Sequence, residues 1–187
     1  MVKAIVSFLE EPSAKEMLQG LLPRFLPCGV AVRYVTFQGK QDLEKNLEKR
    51  LKGWREPDSA FVVMRDQDSG DCRVIKEGLA KLCRQAGKEH ALVRIACREL
   101  ESFYLGDLAA VEKGLDVGGI GRQQQKRKFR SPDQLGSPSG ELEKLTKNRY
   151  QKIAGSRAIG PHLSLEGNCS RSFNVLVSGI RAIVSQE

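Results

Sequence analysis

Carboxylates close three hydrophobic runs in this chain. Phe8-Leu9 runs into Glu10-Glu11. Phe61-Val62-Val63-Met64 runs, past Arg65, into Asp66-Gln67-Asp68-Ser69-Gly70-Asp71. Val93-Arg94-Ile95-Ala96-Cys97 runs into Arg98-Glu99-Leu100-Glu101. Grouped carboxylates repel and raise one another's pKa unless a cation lies among them. Oxygen-only donors suit a hard divalent ion, Mg²⁺ or Mn²⁺ in its place. Such ions stabilise the attacking and leaving oxygens in phosphoryl transfer.

Within these stations the spacing selects candidates. Asp66 and Asp68 stand at i and i+2, which share a side if the strand continues. Glu10 and Glu11 are adjacent, so only one faces a common site, and Glu10 is the expected one. Glu99 and Glu101 share a side if the backbone is extended and diverge by about 200° if a helix has begun. The candidate metal ligands are therefore Glu10, Asp66, Asp68, Glu99 and Glu101. Asp71 reads more simply as the N-cap of the helix that follows. Lys40, in a tight turn after Gly39, is a candidate phosphate contact facing the acidic edge. Its Gly-Lys-Gln lacks the leading glycine and the Ser or Thr of a Walker A loop. Lys152 is the late candidate for steadying charge on a transferring phosphoryl group.

These residues need elements to hold them. Residues 2–9 read as a buried strand, and Pro12 with Ser13 and Glu16 opens a helix through a capping box. Val30 to Phe37 is β-branched and aromatic, hence a second strand. Leu43, Leu47, Leu51 and Trp54 mark one helix face. Ala60 to Met64 gives a third strand, and Ile75, Leu79, Leu82, Cys83 and Ala86 the next helix. Ala91 to Cys97 gives a fourth strand, followed by a helix through Leu100, Phe103, Tyr104, Leu108, Val111 and Leu115. Four strands alternating with four helices predict an α/β fold with a parallel sheet flanked by helices. In an open parallel sheet, chemistry sits outside the carboxyl ends of the strands. The three acidic stations fall there together.

The alternation stops near Leu115. Residues 116–140 are rich in glycine, carry Pro132 and Pro138, and enclose Lys126-Arg127-Lys128-Phe129-Arg130. An irregular or mobile excursion is expected there. Its cations, Lys126, Arg127, Lys128 and Arg130, are candidates for gripping a nucleic-acid backbone, with Phe129 stacking a base. Residues 141–158 are expected to be helical. Phe173, Leu176, Val177, Ile180 and Ile183 mark a final amphipathic helix. The division expected is an α/β core over 1–115 and a basic loop with helical C-terminal extension over 116–187.

Composition narrows the setting. The chain has 187 residues, a net charge of +8 and 40% hydrophobic residues. That fits a globular domain with a polyanionic partner such as nucleic acid. No apolar run approaches the roughly 20 residues of a membrane helix, and no secretory pattern is present, so a cytoplasmic protein with no membrane partner is expected. Five cysteines without a C-x-x-C pair, and histidines without helical-spaced ligands, argue against a zinc site.

A glutamate after the first strand and an Asp-x-Asp after a later one resemble the TOPRIM pattern of topoisomerases, bacterial primases and the overcoming-lysogenisation-defect nucleases. Glu10 and Asp66-Gln67-Asp68 carry that resemblance. More closely, the chain resembles a bacterial family of small TOPRIM-like proteins of unknown function. The resembling segments are 8–13, 37–43, 66–71 with Cys72, and 94–104. Lys152, Ala158-Ile159-Gly160-Pro161-His162 and Ser170-Arg171-Ser172-Phe173 extend it. Members are often encoded beside an ABC-type ATPase. The resemblance implies a TOPRIM-like sheet of about four strands. It also implies a metal-dependent nuclease of a phage-defence type acting with an ATPase partner. Glu10, Asp66, Asp68, Glu99 and Lys152 would be its catalytic set. The chain departs from the pattern at three positions, and two of them, Arg65 and Arg98, with the small size, favour an alternative, a non-catalytic binding or regulatory subunit. Glu11 stands where many members have glycine, Arg65 where the pattern is apolar, and Arg98 where another acid is expected.

Overall fold

The computed structural model describes residues 2–185. Four strands, β1 (Ala4–Leu9), β2 (Ala31–Thr36), β3 (Ser59–Asp66) and β4 (Leu92–Ala96), form one parallel sheet in the order β2-β1-β3-β4. The chain leaves β1 to one side through α1 (Pro12–Leu21). It returns to the other side through α2 (Lys40–Lys52) and α3 (Cys72–Gln85). Right-handed crossovers then require α1 on the face opposite α2 and α3. The packing obeys this. Val6, Phe8, Phe61 and Val63 pack with Leu43, Leu47, Leu51 and Leu79. Ile5, Leu9, Val62 and Met64 pack with Met17, Leu18 and Leu21. Successive strand residues alternate between the two faces, and both faces are buried.

The face carrying α1 is thickened by the second half of the chain. This comprises α4 (Glu101–Leu105), α5 (Leu108–Leu115), α6 (Pro138–Leu145), α7 (Lys152–Ile159) and α8 (Arg171–Val184). Tyr104, Tyr150, Ile159 and Phe173 from these helices share one core with α1 and the sheet. Residues before and after 115 therefore have no separate interiors. The single helix expected after β4 is two. Asp107 ends the first and caps the second, accepting from Ala110 N–H. At Gly106 an added Cβ would lie 2.0 Å from the Asn168 side chain, so only glycine fits.

Three other expectations need correction. The capping box at Ser13 does not form. Pro12 takes the first helical position after Glu11, Ser13 Oγ donates to Glu11, and Glu16 pairs with Arg157. Residues 141–158 form two helices separated by 146–151. Residues 116–140 are not a loose excursion. Three short 3-10 turns order them, and Phe129 is 1% exposed in the main core. The ring is buried, with Lys128 Nζ 4.8 Å from its centroid, so it offers no face to a base.

Candidate metal and phosphoryl-transfer site

β1 and β3 are neighbours, yet the chain leaves them toward opposite sides. Their carboxyl ends flank the switch point of the sheet, where open α/β folds bind ligands. Glu10 and Glu11 follow β1, and Arg65 and Asp66 end β3. Glu10 Oε2 accepts the Asp66 backbone N–H at 3.0 Å, tying the two strand ends together.

The pleat sorts these residues into two groups. Glu10 continues the parity of Val6 and Phe8, and Arg65 that of Phe61 and Val63, so both lie over α2. The Arg65 side chain is 4% exposed. Its guanidinium lies 3.9 Å from Glu10, 2.5 Å from Glu44 of α2 and 3.7 Å from Asp68. Asp68 also accepts from Lys40 Nζ at 2.8 Å, and that bond raises the lysine pKa. Burial raises the Glu10 pKa, opposed by the Asp66 N–H and the Arg65 charge.

Glu11 and Asp66 follow the other parity, that of Leu9 and Met64, toward α1, α4 and α7. Glu101, 1% exposed, joins them from the first turn of α4 and accepts from the Tyr150 hydroxyl at 2.8 Å. Burial, then the charges of Glu101, Glu11 and Glu10, push the Asp66 carboxyl well above the usual range. Burial raises Glu101 as well. The cation of this group is Lys152, whose Nζ lies 2.7 Å from Glu11. Burial pulls the Lys152 pKa down, but the Glu11 bond and the charges of Glu11, Glu101 and Asp66 outweigh it.

The sequence candidates thus divide. Glu10, Asp66, Asp68, Glu101, Lys40 and Lys152 all reach the switch-point edge. Glu99 is engaged by a neighbouring helix: its carboxylate accepts Ser139 N–H at 2.7 Å and so caps α6, while its charge adds to the raised pKa of Glu101. The helix begins at Glu101, so the two glutamates diverge. Asp66 and Asp68 do not share a side, because Asp68 has φ 55° and breaks the pleat. Asp71 is the N-cap of α3, accepting from Arg73 and Val74. Arg98 is directed to the Asp68 carbonyl oxygen at 3.4 Å, not to a carboxylate. In the basic run, Lys128 pairs with Glu141 and Lys126 bonds Gln123. Arg127 and Arg130 make no ion pair among the described residues. Sequence reasoning missed Glu44 and Tyr150, and it preferred Glu10 where both neighbours reach the edge. The parity of Glu10 and Glu11 against Arg65 and Asp66 was the available signal.

The donors on the Asp66 side are carboxylate oxygens, the type a hard divalent cation takes, with Lys152 paired to one of them. There, Lys152 pairs with Glu11, and burial first, then the charges of Glu101, Glu11 and Glu10, raise Asp66. The arrangement is that of acids held by protein cations. Among the described residues, no three His, Cys, Asp or Glu side chains gather as a ready coordination shell. Separately, a cavity of about 370 Å³ opens beside β4, between the first turns of α3 and α8. Arg73, Lys76, Arg94 and Arg171 line it against one carboxylate, Asp133. Asp133 is engaged by Ser170 Oγ and Ser172 N–H.

The comparisons with known proteins agree with the fold. A family model described as Domain of unknown function (DUF4276) matches residues 9–181. Among solved structures, the chain is similar to the C-terminal region of the Burkholderia pseudomallei OLD protein. That match has 16% identity and TM-score 0.57, and covers 99% of this chain and 100% of that one. It is also similar to the C-terminal region of the Xanthomonas campestris pv. campestris OLD protein, at 13% identity and TM-score 0.52. There the cover is 99% of this chain and 97% of that one. No curated protein matches. No helix among the described residues is long and apolar enough to cross a membrane.

Proposed function

The chain belongs to the DUF4276 family, and from the switch-point geometry we propose that it is a TOPRIM-like, metal-dependent nuclease. One observation carries the reading. Glu11, Asp66 and Glu101 crowd one corner of the switch point with Lys152 as their cation, leaving a surplus of negative charge. Asp66, Glu11 and Glu101 would hold Mg²⁺ or Mn²⁺, with Glu10 adjoining through the Asp66 backbone. A divalent ion bound there would polarise a phosphoryl oxygen. Lys152, released from Glu11, would place its ammonium on the developing negative charge of the phosphoryl group. Tyr150 holds the Glu101 carboxylate in place by its hydroxyl. The substrate class is a nucleic acid, supported by the net charge of +8 and by the basic cavity beside β4. Arg127 and Arg130 supply further exposed cations for its backbone. An ABC-type ATPase partner and a phage-defence role are part of the proposal on the family resemblance.

A second reading has a specific observation behind it. Arg65, Lys40 and Lys152 already pair with the acids, as expected of a regulatory binding module without catalysis. The experiment that separates the two uses labelled DNA and RNA with Mn²⁺ or Mg²⁺, with and without the ATPase. The nuclease reading expects cleavage that is abolished by EDTA and by Asp66→Asn. Binding without cleavage under every condition, unchanged in Asp66→Asn, would establish the regulatory module instead.

A further inference from the structure

We propose that the basic cavity beside β4 is a phosphate-monoester site. It takes the terminal phosphate of a nucleic-acid strand or of a single nucleotide. The inference rests on the nucleic-acid reading above and deepens it, and it needs no metal ion. The cavity selects an end group, whereas exposed cations such as Arg127 and Arg130 meet only the backbone.

Four cations reach the cavity from three elements. Arg73 and Lys76 stand at i and i+3 near the start of α3, on one side of the helix. Arg94 comes from β4, and Arg171 opens α8. Asp133 is the one carboxylate in the lining, which leaves a surplus of three positive charges. None of the four cations forms an ion pair among the described residues. The cations of the switch point differ, since Lys40, Arg65 and Lys152 each pair with an acid. Like charges gathered without a counter-ion repel one another, and a bound anion removes that cost.

The acids nearby are engaged elsewhere. Asp133 accepts from Ser170 Oγ at 2.6 Å and from Ser172 N–H at 2.8 Å, so it serves the first turn of α8. Asp71 caps α3 in the same way. Both helix ends are thus occupied, and an incoming anion would be held by side chains. Arg94 is fixed by backbone carbonyls: its Nε–H donates to Val175 at 3.2 Å and its Nη1 to Val93 at 2.9 Å. These bonds orient the guanidinium without neutralising it, and burial lowers its pKa. Val93, Ile95 and Val175 add an apolar wall for a sugar or base. A phosphate monoester brings about −1.5 to −2 charge and three acceptor oxygens, whereas an internal phosphodiester brings a single charge. The surplus charge and the several donors match the monoester. The volume of about 370 Å³ lies at the small end of ligand sites, with room for one nucleotide and not for a duplex.

Fluorescence anisotropy in EDTA tests the site without reference to cleavage. The probes are internally labelled single strands of one sequence, ending in a 5′-phosphate, a 3′-phosphate or hydroxyls alone. The wild type is expected to bind one phosphorylated end about tenfold tighter than the hydroxyl end, the worth of a charge-assisted hydrogen bond. Arg73→Ala/Arg171→Ala should bring the ends within about twofold of each other. Both side chains are exposed, so the fold should persist by circular dichroism. Lys76→Ala gives the same comparison where the double variant does not fold. Adenosine 5′-monophosphate, titrated by calorimetry, distinguishes a strand end from a free nucleotide. Equal binding of all the ends, with no heat from the monophosphate, overturns the inference and leaves the nucleic-acid reading standing. An end preference that persists in the folded variant also overturns it. Monophosphate binding that the variant loses, with no strand bound, supports the site as one for a free nucleotide and overturns the nucleic-acid reading. No binding of any probe overturns both.

Discussion

Replacing Phe129 by alanine separates a structural ring from a base-stacking one. The ring sits within a basic run, but it is 1% exposed and belongs to the core that joins α1, α4, α5 and α8. Its carbonyl oxygen accepts from Gln124 Nε2 at 2.7 Å, so the backbone behind the ring is also fixed. Truncating a fully buried phenylalanine costs about 3–5 kcal/mol, the transfer of the ring plus the cavity left behind. For a domain of this size, each kcal/mol moves Tm by about 2–4 °C. The expected fall is therefore about 6–20 °C, read by differential scanning calorimetry. Nucleic-acid binding by fluorescence anisotropy, measured well below both midpoints, should stay close to wild type. The paired variant Arg127→Ala/Arg130→Ala should do the reverse: stability within about 0.5 kcal/mol and a shallower dependence of binding on salt. A Phe129→Ala protein with unchanged Tm and weakened binding would refute the placement of the ring and restore it to the nucleic-acid interface.

Three further outcomes follow from particular groups. Ser7 Oγ is buried in the middle of β1 with no hydrogen-bond partner among the described residues. Ser7→Ala should leave stability unchanged or raise it by about 1 kcal/mol in urea unfolding, and a clear loss would reveal a partner for the hydroxyl. Burial and neighbouring acids raise the folded-state pKa of Asp66 above its unfolded value. The stability it contributes is thus full below the ordinary aspartate range and lost as pH rises through the raised value. Metal-free Asp66→Asn should accordingly gain Tm relative to wild type as pH rises above the ordinary aspartate range, and Mn²⁺ should close the gap. A gap independent of pH would count against the crowding. Burial pushes the Cys83 thiol up to about 11, whereas Cys28 is exposed. Iodoacetamide near neutral pH should label Cys28 and spare Cys83 by peptide mass spectrometry, since the thiolate is the reactive form. Equal labelling would mean that α3 opens.

Much of the fold was legible because its signals are local. The β-branched runs, the leucines of α2, the Asp71 cap and the stripe of α8 each report within a dozen residues. Where the helix after β4 breaks was less legible, because Gly106 is demanded by Asn168, which arrives from far along the chain. The site was legible as three acidic stations and not as a geometry. Strand parity assigns Glu10 and Arg65 to one side and Glu11 and Asp66 to the other only if the pleat persists past the last ladder residue. It does so through Glu11, with φ −149°, and fails at Asp68, with φ 55°. Glu44 and Tyr150 carry no local mark of their roles. Each gains its meaning from a partner across the fold, Arg65 for one and Glu101 for the other.

The seating of α7 has a consequence for the order in which the molecule is made. At Gly160 an added Cβ would lie 2.6 Å from the Met17 carbonyl oxygen, so the end of α7 rests directly on the backbone of α1. That contact joins segments separated by most of the chain, and it sets Lys152 against Glu11. Loop closure over such a span comes late in folding, after the local β-α units have formed. A nascent chain that has folded its sheet therefore displays the acidic corner without its lysine. The complete edge exists only once α7 has emerged and docked, which ties the charge balance of the site to that long-range contact.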